Sequence, residues 1–125
     1  MANPNIVNVT AIYGKTTYAA LTTTLTTILL ANAVSSGQVF KINSIMVANV
    51  DGTSAADVTI GLNTLAAGSG TTYELASTIS VPADATLTLV DGNSSFYLEE
   101  DKSIVGGASA NGDLEVIISY EQISS

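Results

Sequence analysis

The densest group of side chains that could bind a metal ion is the acidic run Glu99, Glu100 and Asp101. Hard oxygen ligands suit Ca²⁺, so a calcium-binding loop is one interpretation. The spacing of an EF-hand loop is absent, however, and a solvated acidic turn also prevents edge-to-edge pairing of sheets. The second interpretation is favoured. The sequence therefore predicts no metal site and no other cofactor.

A second group of oxygen-bearing side chains consists of Asp91, Asn93 and Asp113, with Gly92 and Gly112 beside them. These residues could provide ligands at one end of a sandwich. Tight turns select aspartate, asparagine and glycine for backbone reasons alone, and this interpretation is favoured.

Catalysis is constrained by the residue types that the sequence lacks: it has no histidine and no cysteine, and its three basic residues are all lysines. Histidine is the usual general base, cysteine the readiest nucleophile and arginine the usual ligand of phosphate and carboxylate. Serine–lysine chemistry would need an S-x-x-K motif, which is absent. Paired carboxylates could cleave a glycoside, but there is no tryptophan to stack on a sugar. The chain is predicted not to be an enzyme.

The charge of the chain limits its partners. The formal net charge is −8 over 125 residues, so phosphate backbones and anionic membrane surfaces should repel it. Only 11% of the residues are charged, and the mean hydropathy is +0.41. Threonine and serine could cover an ordinary well-filled sandwich. We favour a second interpretation, in which apolar surface is buried against other subunits. The prediction is a homo-oligomer, with a trimer favoured, that binds neither nucleic acid nor membrane.

Residues 1–125 are predicted to form one domain made in the cytoplasm. The opening residues have no basic segment followed by an apolar core, as a signal peptide would. The most apolar stretch, Leu25 to Val34, is too short to cross a membrane.

Alternation of apolar and polar residues with a period of two predicts half-buried strands. It is clearest in four segments, residues 57–63, 72–81, 85–90 and 113–122. In a further strand, Phe40 and Ile42 are at even-numbered positions and Ile45 and Val47 at odd-numbered ones, so a regular strand would place the two pairs on opposite faces. A bulge at Asn43-Ser44 would place all four side chains on one face.

Weaker patterns predict the remaining strands. Residues 6–13 alternate like a strand, and the threonine-rich run Thr22 to Ala31 favours a strand over a helix. The segment SIVGGASA is interpreted as a weak strand because glycines cost stability, and Asn111-Gly112 is predicted to close a hairpin after it. About eight short strands separated by turn dipeptides indicate an all-β, jelly-roll-like sandwich of antiparallel strands.

Three segments carry a resemblance: GQVFKINSIMVANVDGTSAADVTIGL, LASTISVPADATLTLVDG and YLEEDKSIVGGASANGDLEVIISYEQI. They resemble small virion structural proteins of tailed bacteriophages over residues 17 to 123. The opening MANPNIVNVTAIYGKT is similar to proteins of marine cyanobacterial phages. Asn49 and Pro82, which lie in these motifs, also have a plain interpretation as residues that cap or start a turn.

The resemblance implies a β-sandwich that assembles on a particle, as a capsid decoration protein that binds the major capsid protein or another virion protein. Its expected location is the virion. Neck, tail and fibre positions stay open. A different class, a carbohydrate-binding or receptor-binding module, also fits because jelly rolls include lectins.

The amino-terminal arm, residues 1–13, is predicted to dock on a neighbour. It carries few charges and alternates like a strand that could be lent to another subunit. Five apolar side chains in it are predicted to form the interface: Ile6, Val7, Val9, Ile12 and Tyr13.

Overall fold

The computed structural model describes residues 3–125, so the first two residues of the predicted arm, Met1 and Ala2, lie outside the described residues. The described residues form strands without a helix. The strands are β1 (Ala11–Ala20), β2 (Thr27–Asn32), β3 (Gln38–Asn49), β4 (Ala56–Asn63), β5 (Thr72–Val81), β6 (Thr86–Val90), β7 (Phe96–Leu98), β8 (Lys102–Ala108) and β9 (Leu114–Ser124).

These strands form two antiparallel sheets. In sheet A the order is β1-β9-β3-β6, with β7 also paired to β3, and in sheet B it is β2-β8-β4-β5. The first strand pairs with the last, and the second strand pairs with the eighth. Nested pairing of this kind is the arrangement of a jelly roll. The all-β sandwich prediction is confirmed. The strand count exceeds eight because two short strands, β6 and β7, lie in succession along β3.

The predicted bulge in β3 is also confirmed. The pairing of β3 with β9 shifts register between Ile42 and Ser44. As a result Phe40, Ile42, Ile45 and Val47 are all buried in the core between the sheets. Burying each aliphatic side chain of this size contributes about 1.5–3 kcal/mol, so one extra residue in the strand preserves several such contributions.

Two predicted strand boundaries are wrong. The first strand begins at Ala11, not at Ile6, and the run from Thr22 to Ala31 is a strand only from Thr27 onward. Residues 21–26 connect sheet A to sheet B, with Leu21 buried between them. Threonine favours strands generally, but β propensity contains no signal for the point at which a chain changes sheets.

The predicted hairpin between β8 and β9 is wrong as well. The two strands lie in different sheets, and Gly112, with φ +80°, turns the chain between them. The strand predicted for SIVGGASA is present as β8, which is the buried inner strand between β2 and β4. A Cβ at Gly107 would lie 2.5 Å from the carbonyl oxygen of Thr24. The glycine therefore allows the connection between the sheets to cross close over β8.

Three strands end in a buried asparagine whose side chain holds the following loop: Asn32 in β2, Asn49 in β3 and Asn63 in β4. Each side chain hydrogen-bonds to backbone groups of that loop. The interpretation of Asn49 as a turn cap is confirmed.

Candidate assembly interface

Among the described residues, strand β1 is the longest sheet edge without a register shift. It pairs with β9 on one side only, in continuous register from Ala11 opposite Ser124 to Ala20 opposite Glu115. Most of its side chains are exposed. An edge of this kind offers a row of unpaired backbone donors and acceptors to another chain.

The hydrogen-bond pattern defines which residues point outward. The carbonyl oxygen of Leu114 accepts from the N–H of Leu21 on the β1 side, and that of Asp113 accepts from Val50 on the β3 side, both at 2.8 Å. Backbone groups in a strand alternate between its two neighbours. Odd-numbered residues of β1 therefore bond to β9, and even-numbered residues direct their N–H and C=O groups to the free edge.

The outer face of sheet A carries an apolar row near one end of β1. Tyr18 lies opposite Ile117 of β9, which lies opposite Met46 of β3. The Tyr18 side chain is 78% exposed, and Ile117 is also exposed. Tyr18 is not among the interface residues predicted from the sequence, because it lies beyond the predicted arm of residues 1–13. Its even-numbered position in the same strand as Ile12, which puts both side chains on one face, was the signal available.

The predicted interface residues lie in two different settings. Ile6 and Val7 occupy a turn before β1, and Val7 is 92% exposed. Val9 is partly buried. Ile12 and Tyr13 are exposed by 53% and 56%, but they lie in β1 and pair with Ile123 and Gln122 of the chain's own sheet. The exposed apolar surface therefore extends from the turn into β1.

The amino-terminal segment is fastened to its own domain at Asn3. The Asn3 side chain donates to Glu99 Oε1 at 2.7 Å and accepts from the N–H of Glu100 at 3.4 Å. Beyond this anchor, Asn3 and Ile6 line a groove of about 210 Å³ together with Val39. Val39 is buried although it does not belong to the core cluster between the sheets. The segment consequently lies against the outer face of sheet A.

A second surface feature is a groove of about 280 Å³ at the end of the sandwich, between β5 and β7. Tyr73 and Tyr97 line it, with their side chains 67% and 46% exposed. Glu99, Lys102 and Thr64 provide polar groups in the same groove. The groove is not predictable from local sequence patterns, because the two tyrosines come from different sheets.

Two of the aspartates, Asp51 and Asp91, accept hydrogen bonds within their own turns. Asp91 accepts hydrogen bonds from the N–H of Asn93 and the hydroxyl of Ser94, so it closes its own turn. Asp51 accepts from the N–H of Thr53 at 3.0 Å, and this bond holds the pKa of Asp51 below 3.8. Within residues 3–125, no group of three or more acidic side chains is arranged to hold a metal ion.

Glu100 differs from these residues because it is buried and neither of its carboxylate oxygens has a hydrogen-bond partner in the described structure. Its neighbours in the acidic run are placed differently: Glu99 is exposed, and Asp101 accepts from the N–H of Ala66 at 3.1 Å. The run is thus divided among separate contacts.

Comparison with known proteins defines the class of fold. The chain is similar to a solved structure of Bacillus endospore appendages, described as a novel family of disulfide-linked pili. The two chains are 17% identical, the match covers 92% of this chain and 88% of the other, and the TM-score is 0.53. At this identity the likeness concerns the fold. No protein-family model and no curated protein sequence matches the chain.

No helix in the described part of the chain has the length and apolarity needed to cross a membrane.

Proposed function

We propose that the chain is a non-enzymatic structural protein of a virion, a capsid decoration protein that binds sister copies and the capsid shell. The observation that carries the proposal is the group of exposed apolar side chains on the amino-terminal turn and β1, which includes Val7, Ile12 and Tyr18. A monomer gains nothing from exposing these side chains, whereas an assembly buries them. The resemblance to tailed-phage proteins supports a virion as the site of assembly.

The similar fold in endospore appendages supports a structural subunit, because there the fold occurs in pili. Those pili are disulfide-linked. The present sequence contains no cysteine, so its copies would associate by apolar burial and strand pairing. Three copies in a closed ring are the arrangement expected from the sequence, and sedimentation equilibrium of the purified chain tests self-association.

Docking is tested by removing residues 1–10, which leaves β1 complete. Burial of an aliphatic side chain is worth about 1.5–3 kcal/mol, so loss of Ile6, Val7 and Val9 should weaken binding to the particle by several kcal/mol. The melt should remain cooperative, because the core between the sheets is untouched. Removal of residues 1–13 is the matched comparison, since it also takes Ile12 and Tyr13 out of β1.

The outcome has two parts. If the protein without residues 1–10 still binds the particle and its melt is unchanged, the amino-terminal segment is not part of the docking surface. Antibody labelling of intact particles in negative stain locates the chain on the capsid, neck, tail or fibre. Absence of label from every purified particle would contradict the virion proposal.

A second candidate function is carbohydrate or receptor binding, which the groove between Tyr73 and Tyr97 favours. Tyrosine rings can stack on a sugar, and Glu99 and Lys102 could bond to its hydroxyl groups. Nuclear magnetic resonance titration with oligosaccharides tests it. Shifts confined to residues of the groove and abolished by Tyr97→Ala would support this function, and no shift at millimolar sugar would contradict it.

A further inference from the structure

The two sheets formed by residues 3–125 have four free edges, which differ in how well they are protected against pairing. The β2 edge is short and changes register between Ile28 and Leu30. The β5 edge has two register shifts, and Thr78 there has φ +50°. The edge formed by β6 and β7 is divided into two short strands. Short, bulged or divided strands are the usual protection against edge pairing.

Strand β1 lacks all of these protections. It runs from Ala11 to Ala20 without a register shift and contains no proline. Its one charged side chain, Lys15, donates to Gln122 Oε1 at 3.0 Å, so the ammonium group is held on its own sheet. The remaining exposed surface of the strand is neutral, in a chain whose net charge is −8. This edge can therefore accept another strand without charge repulsion.

We propose that β1 pairs with β1 of a second copy, antiparallel and about a two-fold axis, so that two copies of sheet A become one continuous sheet. This inference rests on the self-association in the proposed function and specifies β1 as the strand through which the copies make contact. It favours a two-fold dimer over the ring of three.

The residue pattern of β1 selects one register. Residues directly opposite each other in paired strands lie on the same face of the sheet. The outer faces of the two copies therefore lie on the same side only when even-numbered residues oppose even-numbered ones and odd-numbered residues oppose odd-numbered ones. Centring the pair on Lys15 would place two ammonium groups opposite each other, which is unfavourable. Centring it on Thr16 pairs residues 12–20 of both copies and uses the even-numbered backbone groups that already point outward.

The register centred on Thr16 is complementary in shape. It places Gly14 of each copy opposite Tyr18 of the other. A Cβ at Gly14 would have no atom within 4 Å, and the Tyr18 ring is 78% exposed. An aromatic ring on the neighbouring strand can cover such a glycine, which otherwise weakens an edge. The strand thus has the space and the ring for two symmetric contacts.

Sedimentation equilibrium of three proteins tests the pairing: the full chain, Thr16→Pro and Thr16→Val. In this register the outward N–H of Thr16 in each copy donates a hydrogen bond to the other copy, and proline removes both bonds. Proline is tolerated at a free edge. We expect about a tenfold or greater loss of dimerisation with proline and little change with valine, which keeps the N–H group. A cooperative melt of Thr16→Pro confirms that the variant folds.

Single cysteines provide a second readout, since the sequence contains none. Thr16→Cys should form a disulfide-linked dimer under mild oxidation, because two copies of residue 16 face each other across the axis. Thr88→Cys is the matched control, an exposed threonine on the opposite edge strand of the same sheet. It should stay monomeric on denaturing gels.

The outcomes separate the two proposals. A wild-type monomer that does not assemble on particles would overturn both. A trimer, or a dimer that resists Thr16→Pro and does not cross-link through Thr16→Cys, would overturn the β1 pairing and leave the structural role standing. Dissociation by proline without cross-linking would also overturn the pairing of β1 with β1, because a different strand would then occupy the β1 edge.

Discussion

The side-chain amide of Asn49 donates a hydrogen bond to the carbonyl oxygen of Val81 at a distance of 2.9 Å. Asn49 ends β3 in sheet A and Val81 ends β5 in sheet B, so this buried bond joins the two sheets. The same amide donates to Ser54, and its oxygen accepts from the N–H of Asp51. One side chain therefore closes both a loop and one end of the sandwich.

Replacing Asn49 with alanine should lower the free energy of unfolding by about 1–3 kcal/mol for each buried group left without a partner. The measurement is chemical unfolding followed by circular dichroism. Asn93→Ala is the control, because Asn93 is exposed, and it should stay within about 0.5 kcal/mol of wild type. Equal stability of the two variants would show that water replaces the lost bonds.

Gly107→Ala should destabilise the fold by about 1–3 kcal/mol, the range for overfilling a packed site. The added Cβ would lie 2.5 Å and 2.7 Å from the carbonyl oxygens of Thr24 and Thr22, which belong to the connection between the sheets. Gly92→Ala, where a Cβ has no atom within 4 Å, is the matched control. A Gly107→Ala protein as stable as the control would mean that the connection moves away freely.

Glu100→Gln should raise the free energy of unfolding near neutral pH, because a neutral amide costs less than a carboxylate to bury without hydrogen-bond partners. Thermal and chemical unfolding both measure the change. Glu74→Gln, at an exposed position of β5, should leave stability unchanged. A loss of stability in Glu100→Gln, with calcium stabilising wild type alone, would instead reveal a cation at this carboxylate.

Tyr120 should ionise above the ordinary phenol value. Its ring packs on Phe40, with centroids 5.1 Å apart, and burial raises the pKa of Tyr120 above 10.0. A folded-state pKa that is raised contributes stability below pH 10, and this contribution is lost as the pH rises through the folded value.

Absorbance titration at alkaline pH measures this ionisation. Tyr120→Phe should lose a component above pH 10.0 and should depend less on pH in its stability there. An unchanged titration curve in the variant would contradict the raised pKa.

Much of the fold was accessible from the sequence because it is encoded in short-range patterns. Alternation placed β4, β5, β6 and β9, and the change of parity across Asn43-Ser44 identified the bulge that keeps Ile42 and Ile45 in the core. These signals are local, since each strand repeats its own burial every second residue.

Which strands become neighbours was decided by the tertiary structure. Asn111-Gly112 turns the chain as expected, but it joins β8 of one sheet to β9 of the other, because a turn dipeptide fixes a local reversal and not the sheet that follows it. Gly107 costs stability in an isolated strand, yet here it makes room for a crossing connection that lies far away in the sequence.

The candidate interface was likewise determined partly by the sequence and partly by the tertiary structure. Composition alone determined that the chain has few charges and lacks histidine, cysteine and arginine. Only the tertiary structure decided that β1 is a free, unprotected edge and that Tyr18 lies beside Ile117 on its outer face. The physical reason is that an edge is defined by the absence of a neighbouring strand, and neighbours are set by long-range packing rather than by the residues of the strand itself.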